Sequence, residues 1–131
     1  MKRFRSKLVA RLPNDSAERK GIPITTGVLD YFPDAIVDVA ELSKFGNDKH
    51  NPGEALQWAR EKSNDHADCI GRHLIDRGTR DGDGIRHSTQ MVWRALALLQ
   101  VEIEDERKLS ISRSSTLPAK PKRQVKRKSR R

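Results

Sequence analysis

Asp34, Asp38 and Glu41 stand at i, i+4 and i+7, so on a helix their three carboxylates share one side. Asp65 and Asp68 repeat the pattern at i, i+3, with Arg72 one turn beyond Asp68. Like charges so placed repel unless water screens them or a cation sits among them. Two helices that each carry such a stripe, packed together, would enclose hard, oxygen-seeking cations such as Mg2+ or Mn2+. The chemistry this serves is attack on phosphorus. One cation bridges phosphate oxygens while another lowers the pKa of the attacking water. Lys44, Lys49 and Arg72 are the candidates to neutralise phosphate further out. Beside this stands a plainer reading, in which both stripes are solvated helix surface. The residues alone leave both open.

The other polar groups carry weaker signals. His66 and His73 share a helical face that is not the face of Asp65 and Asp68, and no HExxH or comparable zinc spacing occurs. His50 and Asn47 fall in a polar stretch that would form a lip for a ligand between acidic helices. Trp58 and Trp93 have faces on which a base could stack, although Trp93 adjoins the main apolar stripe and reads first as core. Asn47 and Trp58 are therefore the base-binding candidates. Cys69 has no adjacent base and reads as a small buried residue.

The elements that must position these groups are helical. A helix opening at Pro33, where the missing N–H costs nothing, is expected through Phe45 with Gly46 as its cap. Ile36, Val37, Val39, Ala40, Leu42 and Phe45 give it a broad apolar surface. Residues 46–53 lack apolar side chains and read as a loop, and a short helix over about 54–60 carries Leu56 and Trp58. Ser63 is the expected cap of a helix running to Arg77 and stopped by Gly78, with Ala67, Ile70, Leu74 and Ile75 apolar. The loop 78–84 lacks the spacing and terminal Glu of a calcium loop. The clearest periodicity is Ile85, Thr89, Val92, Leu96, Leu99 and Ile103. No strand alternation is seen. The fold class is all-α, a small bundle with more apolar surface than a monomer covers, so self-association is expected.

Composition sets the boundaries. A chain of 131 residues fits one domain, and its 34% apolar content is low for a globular protein. The net charge of +9 is uneven. Residues 107–131 hold 11 of the 27 Lys and Arg and none of the 18 Asp and Glu, leaving residues 1–106 at −2. The chain thus divides into an N-terminal arm (1–17), a helical domain (18–106) and a basic tail (107–131) with almost nothing to bury, which reads as unfolded. A single cysteine excludes an intramolecular disulfide and a cysteine-based zinc site, and fits a reducing cytoplasm. No apolar run has the length of a membrane span, and the N-terminus does not read as a signal peptide.

The stretch ERKGIPITTGVLDYFPDAIVDVAELSKFGNDKHNPGEALQWAREKSNDHADCIGRHLIDRG, with DGIRHSTQMVWRALALLQ after it, resembles the phage dATP/dGTP diphosphohydrolase (MazZ-like) N-terminal family, relatives of the all-α, MazG-like nucleoside triphosphate pyrophosphohydrolases. The likeness runs over about residues 18–100. In MazG-like enzymes an ExxE motif on one helix and an ExxD motif on a later one hold Mg2+. Asp38-Val39-Ala40-Glu41 matches the first with Asp for Glu, and Asp65-His66-Ala67-Asp68 matches the second with the same exchange. Val37 replaces the leading Glu of the longer EExxE form, and Asp34 lies one turn earlier. The resemblance implies that Asp38, Glu41, Asp65 and Asp68 are catalytic, and that with Asp34 they hold two or three Mg2+ or Mn2+ ions. It implies hydrolysis of a purine deoxynucleoside triphosphate, dGTP or dATP, to the monophosphate and pyrophosphate. It further implies dimers or tetramers that complete each active site. The setting implied is the cytoplasm of a phage-infected cell, with dGMP feeding synthesis of a 2-aminoadenine nucleotide.

A rival reading makes the basic tail the working part of a non-catalytic, nucleic-acid-binding accessory protein. The tail would grip phosphate backbones with strong salt dependence and little sequence preference. That reading leaves both acidic stripes without a purpose. It separates from the enzyme reading by truncation of 109–131, which should spare activity and abolish binding to DNA. A second rival, a structural oligomer with solvated carboxylates, separates by Glu41→Ala or Asp68→Ala, which it expects to leave metal affinity unchanged.

Overall fold

In a computed structural model, described over residues 10–108 and 111–116, the chain is an all-α bundle with one minimal strand pair. Asp15 caps the short α1 (Ser16–Lys20), its carboxylate accepting from Glu18 N at 3.0 Å. A π-helical turn over Thr25–Leu29 leads into α2 (Pro33–His50). β1 (Trp58–Ala59) lies between α2 and α3 (His66–Ile75). The long α4 (His87–Arg107) follows, and β2 (Ser115–Thr116) closes the described chain.

α2 opens at Pro33 as its sequence dictates, but it runs through Gly46 to His50. An interior glycine costs a helix only about 1 kcal/mol. Here the turn continues because Asn51 N reaches Asn47 O at 2.7 Å and the Asn47 side chain donates to Glu54 O at 3.0 Å. The expected loop over 46–53 therefore begins only after His50. The expected helix over 54–60 is an extended segment, held open because Trp58 N donates to Ser114 O at 2.6 Å. α3 starts after Asp65 rather than Ser63 and ends at Ile75, two residues short of Arg77. α4 starts at His87 rather than Ile85 and stops where Lys108 turns left-handed, at φ 55°.

α4 is the spine of the molecule. α3 packs along it most extensively, α2 crosses it more lightly, and α2 and α3 do not pack on each other. Within one chain the two acidic helices therefore do not meet each other; each packs on α4. The apolar core is small: of the described apolar residues only Cys69 and Ala97 are buried. Several expected core positions are exposed, including Val37, Leu74, Ile75, Leu96 and Leu99, because among the described elements α3 packs only on α4 and α2 only on α4 and the π-helical turn, leaving one face of each helix, α4 included, uncovered.

The buried polar groups do more of the joining. Arg60 and Glu104 form a bidentate ion pair at 2.6 and 2.9 Å, with side chains only 10% and 5% exposed. Burial alone would raise the Glu104 carboxyl; Arg60, Gln100 and the Ser112 N–H outweigh it and hold the group below its ordinary value. Residues 111–116 fall in the segment that composition assigns to an unfolded tail. They instead lie against the core, with Ser112 and Ser115 hydroxyls accepting from Arg60 and β2 running parallel to β1 in the register Trp58–Ser115. The rest of that tail, with its expected nucleic-acid contact, and residues 1–9 of the arm lie outside the described residues. No described helix is long and apolar enough to cross a membrane.

Candidate nucleotide-binding site

Two clefts flank the crossing of α2 and α4. The first, about 370 Å³, is lined by Asp34 and Asp38 from α2 and by Arg86, Ser88, Thr89 and Val92 around the start of α4. Asp38 is half-buried and its Oδ2 accepts the hydroxyl of Thr89, itself buried. Asp34 and Glu41 are exposed, and neither has a hydrogen-bond partner among the described residues.

The second cleft, about 450 Å³, lies within the usual size of small-molecule sites. The C-terminal half of α2 contributes Ser43, Asn47 and His50. The extended segment contributes Gln57, Trp58 and Lys62, α4 contributes Gln90, Trp93 and Arg94, and residues 113 and 114 close one side. Trp58 and Trp93 meet edge to face with centroids 5.8 Å apart, Trp93 Nε1 donates to Ser43 Oγ at 3.1 Å, and the Arg60 guanidinium stacks 3.8 Å over Trp58. The indoles are thus fixed before any ligand arrives.

Asn47 is the most informative residue here. It is 7% exposed; its Nδ2 donates to Glu54 O, which fixes the amide orientation, and its Oδ1 is buried with no partner among the described residues. A buried acceptor left unpaired costs about 1–3 kcal/mol, which an N–H donor entering the cleft would recover. Both base-binding candidates from the sequence, Asn47 and Trp58, line this one cleft.

Charge separates this cleft from the first. Among the described residues its lining has no Asp or Glu but holds Lys62, Arg94 and Arg113. Among the described residues Lys62 donates only to the neutral Asn51 at 3.1 Å, and Arg94 to Ser63 at 2.8 Å and His66 Nδ1 at 3.2 Å. A guanidinium can only donate, so His66 accepts through Nδ1; burial first, then Arg94, lowers its pKa. The three cations predicted to meet phosphate are placed differently, each beside a carboxylate. Lys44 meets Asp48 at 3.3 Å, Lys49 meets Asp83 at 2.7 Å, and Arg72 meets Asp65 at 3.2 Å.

Asp65 is bound into a cap network. It accepts from Ser63 at 2.6 Å, from Arg72 and from the Cys69 thiol at 3.5 Å, and these donors, Ser63 foremost, hold it well below the usual carboxylate range. Asp68 is exposed and without a hydrogen-bond partner among the described residues. The carboxylates of α2 and α3 are the hard oxygen donors that Mg2+ or Mn2+ takes. Among the described residues no group of three His, Cys, Asp or Glu is close enough to hold an ion.

Sequence reasoning missed Gln90, Arg94, Lys62 and Arg113. Gln90 and Arg94 stand four apart on the side of α4 opposite the stripe of Ile85, Thr89, Val92, Leu96, Leu99 and Ile103, so that period gave no pointer to them. Lys62 and Arg113 sit in irregular chain, where no periodicity marks them.

No curated protein and no solved structure matches the chain. A family model does, over residues 13–110, which takes in α1 to α4 and all of the second cleft except residues 113 and 114. On that match the chain belongs to the dATP/dGTP diphosphohydrolase, N-terminal, family.

Proposed function

We propose that the chain hydrolyses a purine deoxynucleoside triphosphate, dGTP or dATP, to the deoxynucleoside monophosphate and pyrophosphate. The observation that carries this reading is the family match, which supports deoxynucleotide pyrophosphohydrolase-type activity in general. The second cleft supports a purine ligand: two fixed indoles offer a stacking wall, and the Asn47 carbonyl awaits an N–H donor. Purine edges supply such donors, from N1 and the 2-amino group of guanine or the 6-amino group of adenine.

In the reaction, a water oxygen bonds to a phosphorus of the triphosphate while the P–O bond to the departing pyrophosphate breaks. Pyrophosphate leaves with the electron pair, and the water's proton passes to a carboxylate of the acidic set. MazG-like enzymes are generally metal-dependent. In this reading Asp34, Asp38, Glu41, Asp65 and Asp68 hold two or three Mg2+ or Mn2+ ions, of which the catalytic pairs are Asp38 with Glu41 and Asp65 with Asp68. Bound there, the ions would supply charge neutralisation and an activated water.

These carboxylates gather only in a dimer or tetramer. Asp38 and Asn47 are nine residues apart on α2, about two and a half turns, so they point to opposite flanks of that helix. A nucleotide whose base lies against Asn47 therefore draws carboxylates from a second copy. The exposed apolar groups Tyr31, Phe32, Val37 and Ile75 supply surface for that association. The dGMP produced feeds synthesis of a 2-aminoadenine nucleotide in the cytoplasm of a phage-infected cell.

Glu41→Ala and Asp68→Ala test the acidic set, since both side chains are exposed and make no contact the fold needs. Each variant should lose turnover while keeping the wild-type melting temperature. Turnover at the wild-type rate in either would remove that residue from the mechanism.

A further inference from the structure

The segment Ile111–Thr116 lies beyond the family match, yet it is pinned at several points. Ser114 O accepts from Trp58 N at 2.6 Å, Ser112 N donates to Glu104 Oε2 at 2.9 Å, and Ser112 Oγ accepts from Arg60 at 2.8 Å. Ile111 O accepts from Arg11 at 3.0 Å. Within this strap Ser114 holds the left-handed conformation, φ 58°, at the turn with Arg113, which a non-glycine residue adopts at a cost. The strap therefore holds a strained turn at the mouth of the second cleft, and Arg113 and Ser114 form part of its lining.

Arg113 makes no hydrogen bond or ion pair among the described residues, and the two other cations of the cleft, Lys62 and Arg94, bond only to neutral groups. Three positive charges thus converge on a cavity that holds no carboxylate. Such a lining attracts a polyanion. We propose that the strap is a working wall of the nucleotide site and that Lys62, Arg94 and Arg113 receive the triphosphate, Arg113 being a binding residue that the family-matched segment does not contain. This deepens the proposed function and rests on it, because it takes the cleft to be the deoxynucleotide site. It also revises the truncation expected to be harmless, since a cut before residue 111 removes part of the pocket.

The test is calorimetric titration of the full chain with a non-hydrolysable α,β-imido analogue of dGTP or dATP, at several salt concentrations. Arg113→Ala should weaken binding about tenfold, flatten the salt dependence and leave the melting temperature unchanged. Arg113→Lys should restore most of the affinity. Arg113→Ala with wild-type affinity and salt dependence would overturn the assignment while leaving the nucleotide site in place. A wild-type chain that binds neither analogue would overturn the cleft reading itself, and this inference with it.

Discussion

Replacing Glu104 with Ala should uncouple the C-terminal strap from the helices and cost the fold a large part of its stability. Glu104 receives both arms of the Arg60 guanidinium, the Gln100 amide and the Ser112 N–H, with little water access. Its removal strands a guanidinium that is 10% exposed and leaves a main-chain donor unpaired. Removing one partner of a buried pair costs about 3–5 kcal/mol. The low end applies here, since the pair lies near the strap rather than in a deep core. At about 4 °C or more per kcal/mol for a domain of this size, the melting temperature should fall by at least about 12 °C. The assay is thermal melting followed by far-UV circular dichroism, beside the double variant Arg60→Met with Glu104→Leu. The double variant should recover much of the loss, because it leaves no unpaired charge. If Glu104→Ala melted within a few degrees of wild type, the ion pair would not be holding the strap, and the cleft wall built on it would lose its anchor.

Further outcomes follow from individual side chains. Asn47→Leu should weaken purine nucleotide binding about tenfold or more, measured by titration, as the carbonyl that accepts the base N–H is lost; unchanged affinity would exclude Asn47 from base recognition. Stability should fall as pH drops below the ordinary histidine value of about 6.5. Burial, chiefly, lowers the pKa of His66 and His73, so the unfolded chain binds more protons in the window between the folded and ordinary values. Melting across pH 5 to 8 checks this, and His66→Gln together with His73→Gln should flatten the slope. Thr89→Val should leave the fold in place but change the rate, because it strips the only hydrogen-bond donor that Asp38 has among the described residues; turnover kinetics measures it.

The fold class was legible because α4 carries a long apolar period and Pro33 marks the start of α2. Helix ends were less so. Gly46 reads as a stop from sequence alone, and what carries the helix past it is a side-chain bond from Asn47 to Glu54 that no local pattern announces. The strap was illegible for a related reason. Its composition offers nothing to bury, and it is held instead by hydroxyls and one N–H gathered around an ion pair whose members are 44 residues apart. Of the candidate site, Asn47 and Trp58 were readable as a polar lip and an aromatic wall, and they do share a cleft. Lys44, Lys49 and Arg72 were readable only as charges; the carboxylates that occupy them come from spacing in two cases and from a distant loop in the case of Asp83. The acidic stripes lie on α2 and at the start of α3 as expected, yet which helices pack on which depends on packing order, which helical period does not encode.

The most direct test of the central claim is incubation of the purified protein with each of the four deoxynucleoside triphosphates, with Mg2+ or Mn2+ and with chelator, resolving every phosphate-containing product. The expected result is metal-dependent conversion of a purine substrate to its monophosphate and pyrophosphate, abolished by chelator. Intact triphosphates in every reaction, from protein shown to be folded, would contradict it.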